Sequence, residues 1–310
     1  MGFLVTGGAG FIGSHLVHRL VERGERVRVV DNFVTGKREN LAPVAGKIEL
    51  IEGDLADPAV CRQACADMRV VLHQAALPSV PKSIADPVKS HQSNIEGTFN
   101  LLMAARDAKV RRFVYAASSS AYGESEQLPK VESMPSSPLS PYAVQKLTGE
   151  SYCSVFSRCY GLQTVSLRYF NVFGPRQDPQ SQYAAAIPAF VTAILSDRPP
   201  TVYGDGEQTR DFTYIENVIS ANLLAADATE THGEAVNIAC GEHITINEII
   251  QQINALLGKD IRPDYVDPRP GDIRHSWADI AKAGEVIGYR PLIGFEEGLR
   301  LAIEWYTKHP

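Results

Sequence analysis

Short apolar runs alternate with amphipathic stretches through the first half of this chain. Residues 2–6 (Gly-Phe-Leu-Val-Thr) have strand length, and Ile12, Leu16, Leu20 and Val21 then fall on one side of a helix. A β-branched run, Val27-Arg28-Val29-Val30, follows and stops at Asp31. Further strand-length runs stand at 48–51, 70–73, 112–117 and 163–168. A long helix is predicted over about 87–108, and another carries Tyr142 after a loop rich in proline (Pro135, Pro138, Pro141). This alternation predicts an α/β fold built on a doubly wound parallel sheet. After residue 175 the pattern loosens and Pro and Gly rise, as in 198–200 and 203–206. The expected division is a dinucleotide-binding domain over 1–175 and a smaller α/β lobe, mainly 176–310, interleaved with it.

Ligands of such sheets sit at the carboxyl ends of the strands. The polar motifs at Gly7, Asp31, Asp54, Ala75, Ser118 and Asn171 all follow strand ends, so one cleft can collect them. The first is a glycine turn, Gly7-Gly8-Ala9-Gly10-Phe11-Ile12-Gly13, between strand and helix. Gly7 suits a tight turn, Gly10 lets backbone N–H groups approach a pyrophosphate, and Gly13 allows close packing of helix on sheet. A carboxylate at Asp31, on the tip of the second strand, suits the hydroxyls of an adenosine ribose and would repel a 2′-phosphate. NAD is therefore favoured over NADP. Lys37 and Arg38 nearby are read as solvated loop charges.

Composition narrows the partners. The chain has 310 residues, 44% hydrophobic and 21% charged, with a formal net charge of −6. A core of good size is affordable, and a broad nucleic-acid footprint is not expected. No apolar run has membrane-spanning length, and a strand is predicted from the first residues, so a cytoplasmic protein without a signal peptide or membrane partner is expected. Five cysteines (Cys61, Cys65, Cys153, Cys159, Cys240) form no Cys-x-x-Cys pair, which fits reduced thiols and no metal site.

Tyr142 and Lys146 stand four residues apart and would share one helix face. An ammonium beside a phenol favours the phenolate and lowers its pKa, making the pair a candidate general base.

Together these residues resemble the extended short-chain dehydrogenase/reductase family, within it the nucleotide-sugar 4-epimerases, and the resemblance covers nearly the whole chain. It rests on residues 6–13, Gly53-Asp54-Leu55, 118–123 (Ser-Ser-Ser-Ala-Tyr-Gly), Tyr142-x-x-x-Lys146, 167–174 (Leu-Arg-Tyr-Phe-Asn-Val-Phe-Gly), Arg210-Asp211-Phe212 and Arg269-Pro270-Gly271-Asp272. The resemblance implies a Rossmann-type sheet, bound NAD, a UDP-sugar substrate and a homodimer formed through two helices, about 87–108 and 142–159. It implies Ser118, Tyr142 and Lys146 as catalytic residues, with Ser119 and Ser120 as neighbours onto which the serine's role could shift. It implies NAD contacts from Gly7, Gly10, Phe11, Ile12, Asp31, Asn32, Phe33, Gly36, Asp54, Leu55, Ala75, Ala76, Asn94, Tyr142, Lys146 and Tyr169. For the substrate it implies Ser118, Ser119, Tyr142, Asn171, Tyr203, Arg210, Arg269, Asp272 and Ser276, the two arginines clamping the diphosphate.

Dehydratases of this family carry an Asp-Glu pair after the catalytic hydroxyl, and decarboxylases a Glu. Here Ser119 and Ser120 stand there, and neither is an acid or base near neutral pH. That argues against dehydration and weakens decarboxylation, whereas 4-epimerisation needs only the Tyr, the hydroxyl and room for the 4-keto sugar to turn. Family members restricted to non-acetylated sugars have a Tyr where this chain has Ser276, so UDP-GlcNAc/UDP-GalNAc is expected to fit, with UDP-Glc/UDP-Gal also accepted. Lys82 could attract a uronate, which keeps UDP-glucuronate epimerase or decarboxylase open. A reading of another class is a non-catalytic NAD-binding regulatory protein.

Overall fold

The computed structural model describes residues 2–125, 127–178, 186–268 and 273–309. The first half runs β1 (Gly2–Thr6), α1 (Phe11–Glu22), β2 (Arg26–Asp31), β3 (Ile48–Glu52), α2 (Pro58–Cys65), β4 (Val70–His73), α3 (Val80–Ala85), α4 (Pro87–His91), α5 (Gly97–Asp107), β5 (Arg112–Ser118), α6 (Pro141–Tyr160) and β6 (Gln163–Tyr169). The second half continues through β7 (Val172–Phe173), α7 (Ala186–Leu195), β8 (Thr201–Tyr203), β9 (Thr209–Arg210), β10 (Thr213–Tyr214), α8 (Ile215–Asp227), β11 (Glu234–Ile238), β12 (Ile244–Thr245), α9 (Ile246–Leu257), β13 (Asp264–Val266), β14 (His275–Ser276), α10 (Ala281–Ile287) and α11 (Phe295–Lys308).

Seven of these strands form one parallel sheet in the order β11-β6-β5-β4-β1-β2-β3. The order reverses at β1, which places the crevice for a ligand over its carboxyl end. The strands read as near-continuous apolar runs because helices cover both faces. Leu16, Val17 and Leu20 of α1 close one face over Phe3, Val5 and Val29. Leu101, Leu102 and Ala105 of α5 close the other over Leu4, Val71 and Phe113, with Cys153 and Phe156 of α6. The outermost strand, β11, comes from the second half of the chain, and α8 packs against α1 on the same layer.

The remaining strands make small sheets: β10-β7, β13-β8 and β12-β9-β14. The expected helix over 87–108 is present with one interruption. A π-turn at Gln92–Glu96 separates α4 from α5. Among the described residues, no helix is long and apolar enough to cross a membrane, and no group of three or more His, Cys, Asp or Glu could hold a metal ion.

Candidate active site

The glycine turn shows why a side chain is excluded there. Gly7 has φ +65°, and a Cβ on it would lie 2.8 Å from the backbone of Ala75. A Cβ on Gly13 would lie 2.1 Å from the carbonyl oxygen of Gly7. The helix that starts here, α1, has Gly10 as its N-cap and no side-chain cap. Its first amides are thus directed at the crevice as an anion cradle. Asp31 is buried at the tip of β2, where its carboxylate accepts the amides of Ala9 and Phe33, each at 2.8 Å. Gly36 lies against that carboxylate, 2.8 Å from where its Cβ would stand. Asn32 donates to Asp54 at 2.9 Å, which joins the tips of β2 and β3 beside buried Leu55. Arg38 lies 3.9 Å over the ring of Phe33 and donates to Glu52 at 2.5 Å. It is exposed, but it is paired and stacked rather than a freely solvated charge. A glycine cradle, an uncapped helix start and a carboxylate at the second strand tip fit a dinucleotide.

Behind this cradle runs a buried chain of hydrogen bonds that the sequence reading did not single out. Thr6 Oγ1 accepts from the Ala75 amide at 3.2 Å and lies 2.7 Å from His73 Nδ1. His73 Nε2 lies 2.9 Å from Thr98 Oγ1, which donates to the Asn94 carbonyl at 2.8 Å. One assignment satisfies every member: a neutral His73 with its proton on Nε2. Burial holds this imidazole down to about 3, consistent with the neutral form. The chain ends at Asn94, which the π-turn presents to α6. Its carboxamide accepts from Leu77 N at 2.8 Å and donates to Gln145 Oε1 at 2.8 Å. Gln145 also accepts from Ser90 at 2.7 Å. Asn94 is buried by these bonds and holds the loop of Ala75 and Ala76, rather than offering its amide to the cleft. Tyr169 is similar, because its hydroxyl is taken by Gln74 at 3.2 Å and Asn222 at 2.8 Å.

The catalytic candidates come from β5 and α6. Ser140 caps α6 by accepting from Ala143 N at 3.1 Å, Pro141 fills the first helical position, and Gly161 ends the helix at φ +69°. Tyr142 and Lys146 share one face, as their spacing predicts. Their electrostatics differ from expectation. Burial raises the Tyr142 phenol above its ordinary value, and a hydrogen bond with Ser118 draws it back. Lys146 does not supply the lowering. Its ammonium donates to the carbonyl of Ala116 at 2.7 Å and lies 5.0 Å over the Tyr115 ring. Burial brings Lys146 down to about 8. The pair is therefore built by burial first, with Ser118 as the partner of the phenol.

Among the three serines, the structure distinguishes Ser118. It closes β5 and pairs in register with Tyr169. Its hydroxyl accepts from Ser120 N at 3.2 Å and from Ser120 Oγ at 2.9 Å, so Ser120 supports it. Ser119 opens the short 3₁₀ turn of 119–122.

The substrate candidates cluster on β9 and β14. Arg210 and Ser276 are register partners across these strands. Arg210 donates to the carbonyls of Thr209 at 2.9 Å and Arg274 at 3.1 Å. Asn171 has φ +30° and donates its amide to the carbonyl of Asp211 at 3.1 Å. Tyr203 ends β8, partly exposed, and Lys82 is exposed on α3. Arg269 and Asp272 lie outside the described residues.

Asp211, in the middle of the motif Arg210-Asp211-Phe212, joins this cluster together. It is fully buried and accepts the amides of Cys240, Gly241 and Ala278 at 2.9, 3.0 and 3.2 Å. Burial pushes its carboxyl up to about 7, while the three amide donors pull it down. Lys130, on the strap that follows Ser118–Tyr122, pairs with Trp277 and Asp279 through its backbone at 2.8 and 3.0 Å. The segment after the three serines is thereby linked to the residues that follow β14.

Comparison with known proteins matches this arrangement. A profile of the NAD dependent epimerase/dehydratase family covers residues 3–239. A putative UDP-glucose 4-epimerase of Methanocaldococcus jannaschii is 39% identical over 304 residues, 97% of each chain. A UDP-N-acetylglucosamine 4-epimerase from Methanobrevibacter ruminantium M1, solved with UDP-N-acetylmuramic acid, is 42% identical at TM-score 0.95, over 100% of this chain and 99% of that one. A UDP-glucuronic acid 4-epimerase from Bacillus cereus, solved with UDP-glucuronic acid and NAD, is 34% identical at TM-score 0.92, over the full length of both.

Proposed function

The chain belongs to the NAD dependent epimerase/dehydratase family, and we propose that it interconverts UDP-GlcNAc and UDP-GalNAc, accepting UDP-Glc and UDP-Gal as well. At the coarser level it is an NAD-dependent UDP-sugar 4-epimerase. Bound NAD⁺ supplies the acceptor, and afterwards the donor, of the hydride at C4 of the sugar. The residues of the chain handle the proton. Tyr142, as phenolate, takes the proton of the 4-hydroxyl, and Ser118 hydrogen-bonds the same oxygen. After the sugar has turned, Tyr142 returns that proton to the new alcohol. Lys146, which donates to the Ala116 carbonyl behind the phenol, would hold the nicotinamide ribose, and the positive charge of the oxidised nicotinamide would favour the phenolate.

The glycine cradle and Asp31, in residues 1–175, would hold NAD. The nucleotide sugar would be held mainly by the later chain, with Arg210 on its diphosphate and Asn171 and Tyr203 around it; the family resemblance adds Arg269 and Asp272, which lie outside the described residues. The observation that carries the sugar preference is Ser276, a small side chain in register with Arg210. It leaves volume for a 2-acetamido group beside the diphosphate clamp. Lys82 lies exposed on α3, outside that pair. Purified protein with NAD⁺ is offered the glucose, N-acetylglucosamine and glucuronate pairs. Turnover highest on the acetylated pair supports the reading, and a preference for the uronate overturns it.

We also propose a homodimer through α5 and α6. Phe99, Val144, Val155 and Tyr160 stand exposed on these helices, and Phe99 packs on Tyr152 with ring centroids 5.2 Å apart. Such an apolar strip is the usual mark of an interface.

A further inference from the structure

The amides at the start of α6 can be accounted for one by one. Pro141 has none. Ala143 donates to Ser140 Oγ at 3.1 Å, and Val144 donates to Ser140 O at 3.0 Å. Tyr142, at the second helical position, has no partner within the helix. Its amide donates instead to Ser83 Oγ at 3.1 Å, across 59 residues of sequence. Ser83 is 1% exposed and lies on α3, the short helix between the cofactor loop and α4. Its hydroxyl is oriented by donating to Val80 O at 2.7 Å, which leaves a lone pair for the Tyr142 amide.

We propose that Ser83 is a positioning residue for the proton-transfer step, acting on Tyr142 through its backbone amide. The inference rests on the reading of Tyr142 as the base. The physical reason is the place of Tyr142 in the helix. A first-turn residue lacks the amide bond to the preceding turn that anchors later residues such as Lys146. A side chain that must keep its oxygen within hydrogen-bond reach of Ser118 and of the sugar needs that anchor from elsewhere. Ser83 provides it from α3, so that short helix and the base share one fixed joint. Without the hydroxyl, the part-buried Tyr142 amide loses this partner, and the first turn gains freedom to shift.

The test compares Ser83→Ala with Thr164→Val. Thr164 Oγ1 donates to Cys153 O at 2.6 Å and fastens the same helix eleven residues further on, away from the site. Each change removes one hydroxyl hydrogen bond to α6. Kinetics are measured on the purified enzymes with NAD⁺ and UDP-Glc, below the melting temperature of the weaker variant. Ser83→Ala is expected to lower kcat about tenfold with KM within about twofold of wild type, since misplacement of a reacting group falls on the chemical step. Thr164→Val is expected to keep wild-type kcat. Ser83→Cys, of similar volume but a weak acceptor, is the second variant should alanine impair folding, and it is expected to lower kcat in the same direction. Wild-type kcat in Ser83→Ala or Ser83→Cys, or an equal fall in Thr164→Val, overturns the proposal. Tyr142→Phe is run beside them. Retained turnover there overturns the base assignment and this inference with it. A dead Tyr142→Phe with an unaffected Ser83→Ala overturns only the role of Ser83.

Discussion

At the scale of single residues, the site depends on which charges are permitted. The Tyr142 phenol is raised by burial and drawn down only by Ser118, so the protein alone does not make a ready phenolate. Charge from the ligand side has to complete it. Tyr142→Phe removes the proton acceptor and nothing else of consequence. Turnover should fall by about 10²–10⁴-fold while calorimetry finds UDP-sugar binding retained. Binding that collapses in a well-folded variant would contradict the assignment. Ser276→Tyr should depress activity on acetylated sugars selectively. Unchanged relative rates on the two sugar pairs would remove the volume argument. Histidine gives a pH prediction of definite sign. Burial lowers His15 to about 4 and His73 to about 3, from an ordinary 6.5. Below pH 6.5 the unfolded chain takes protons that the folded one refuses, so stability present above 6.5 falls as pH drops toward 4. His15→Gln can keep a donor for the Pro175 carbonyl, which His15 Nε2 meets at 2.9 Å. Urea titrations between pH 6.5 and 4.5 should then show a slope smaller by about one proton. An identical slope would place the uptake elsewhere.

At the scale of elements, α6 is held by two kinds of attachment. Its start is fixed by Ser140 and Ser83, and its middle by a buried ion pair. Arg168 on β6 donates to both oxygens of Glu150, at 2.6 and 2.9 Å, and lies 4.7 Å over the Tyr122 ring. Tyr122 in turn donates to Asn237 of β11 at 2.6 Å. The pair thus ties α6 to the sheet edge contributed by the second half of the chain. Arg168→Ala would leave Glu150 nearly buried without its partner, at a cost of about 3–5 kcal/mol. Chemical denaturation measures it, and a loss below about 1 kcal/mol would mean that water reaches the carboxylate.

At the scale of the whole molecule, α5 and α6 lay an apolar strip on the outside, and Tyr142, the proposed base, sits on one of these two helices. Pairing through the strip would stiffen the helix that bears the base. Val155→Arg should convert a dimer to a monomer in light scattering while leaving the fold intact by circular dichroism. A wild-type protein already monomeric at micromolar concentration would remove the interface. The monomer should also melt earlier, since a partner that binds only the folded state adds stability by mass action.

The sequence by itself determined the strands of the main sheet in its first half, the glycine cradle, the acid at position 31 and the Tyr142–Lys146 face. These follow from local rules: period of hydrophobicity, the conformational freedom of glycine and helical spacing. It also carried the family, because several motifs occur in order. The tertiary structure alone decided how those residues are used. Lys146 turns to Ala116, Asn94 turns inward to Gln145, His73 is a neutral link, and Asp211 and Ser83 are joints between distant segments. None of these is visible as a motif. Each depends on a bond across 30 to 67 residues, and hydrogen bonds of that separation exist only once the sheet order has brought their partners together.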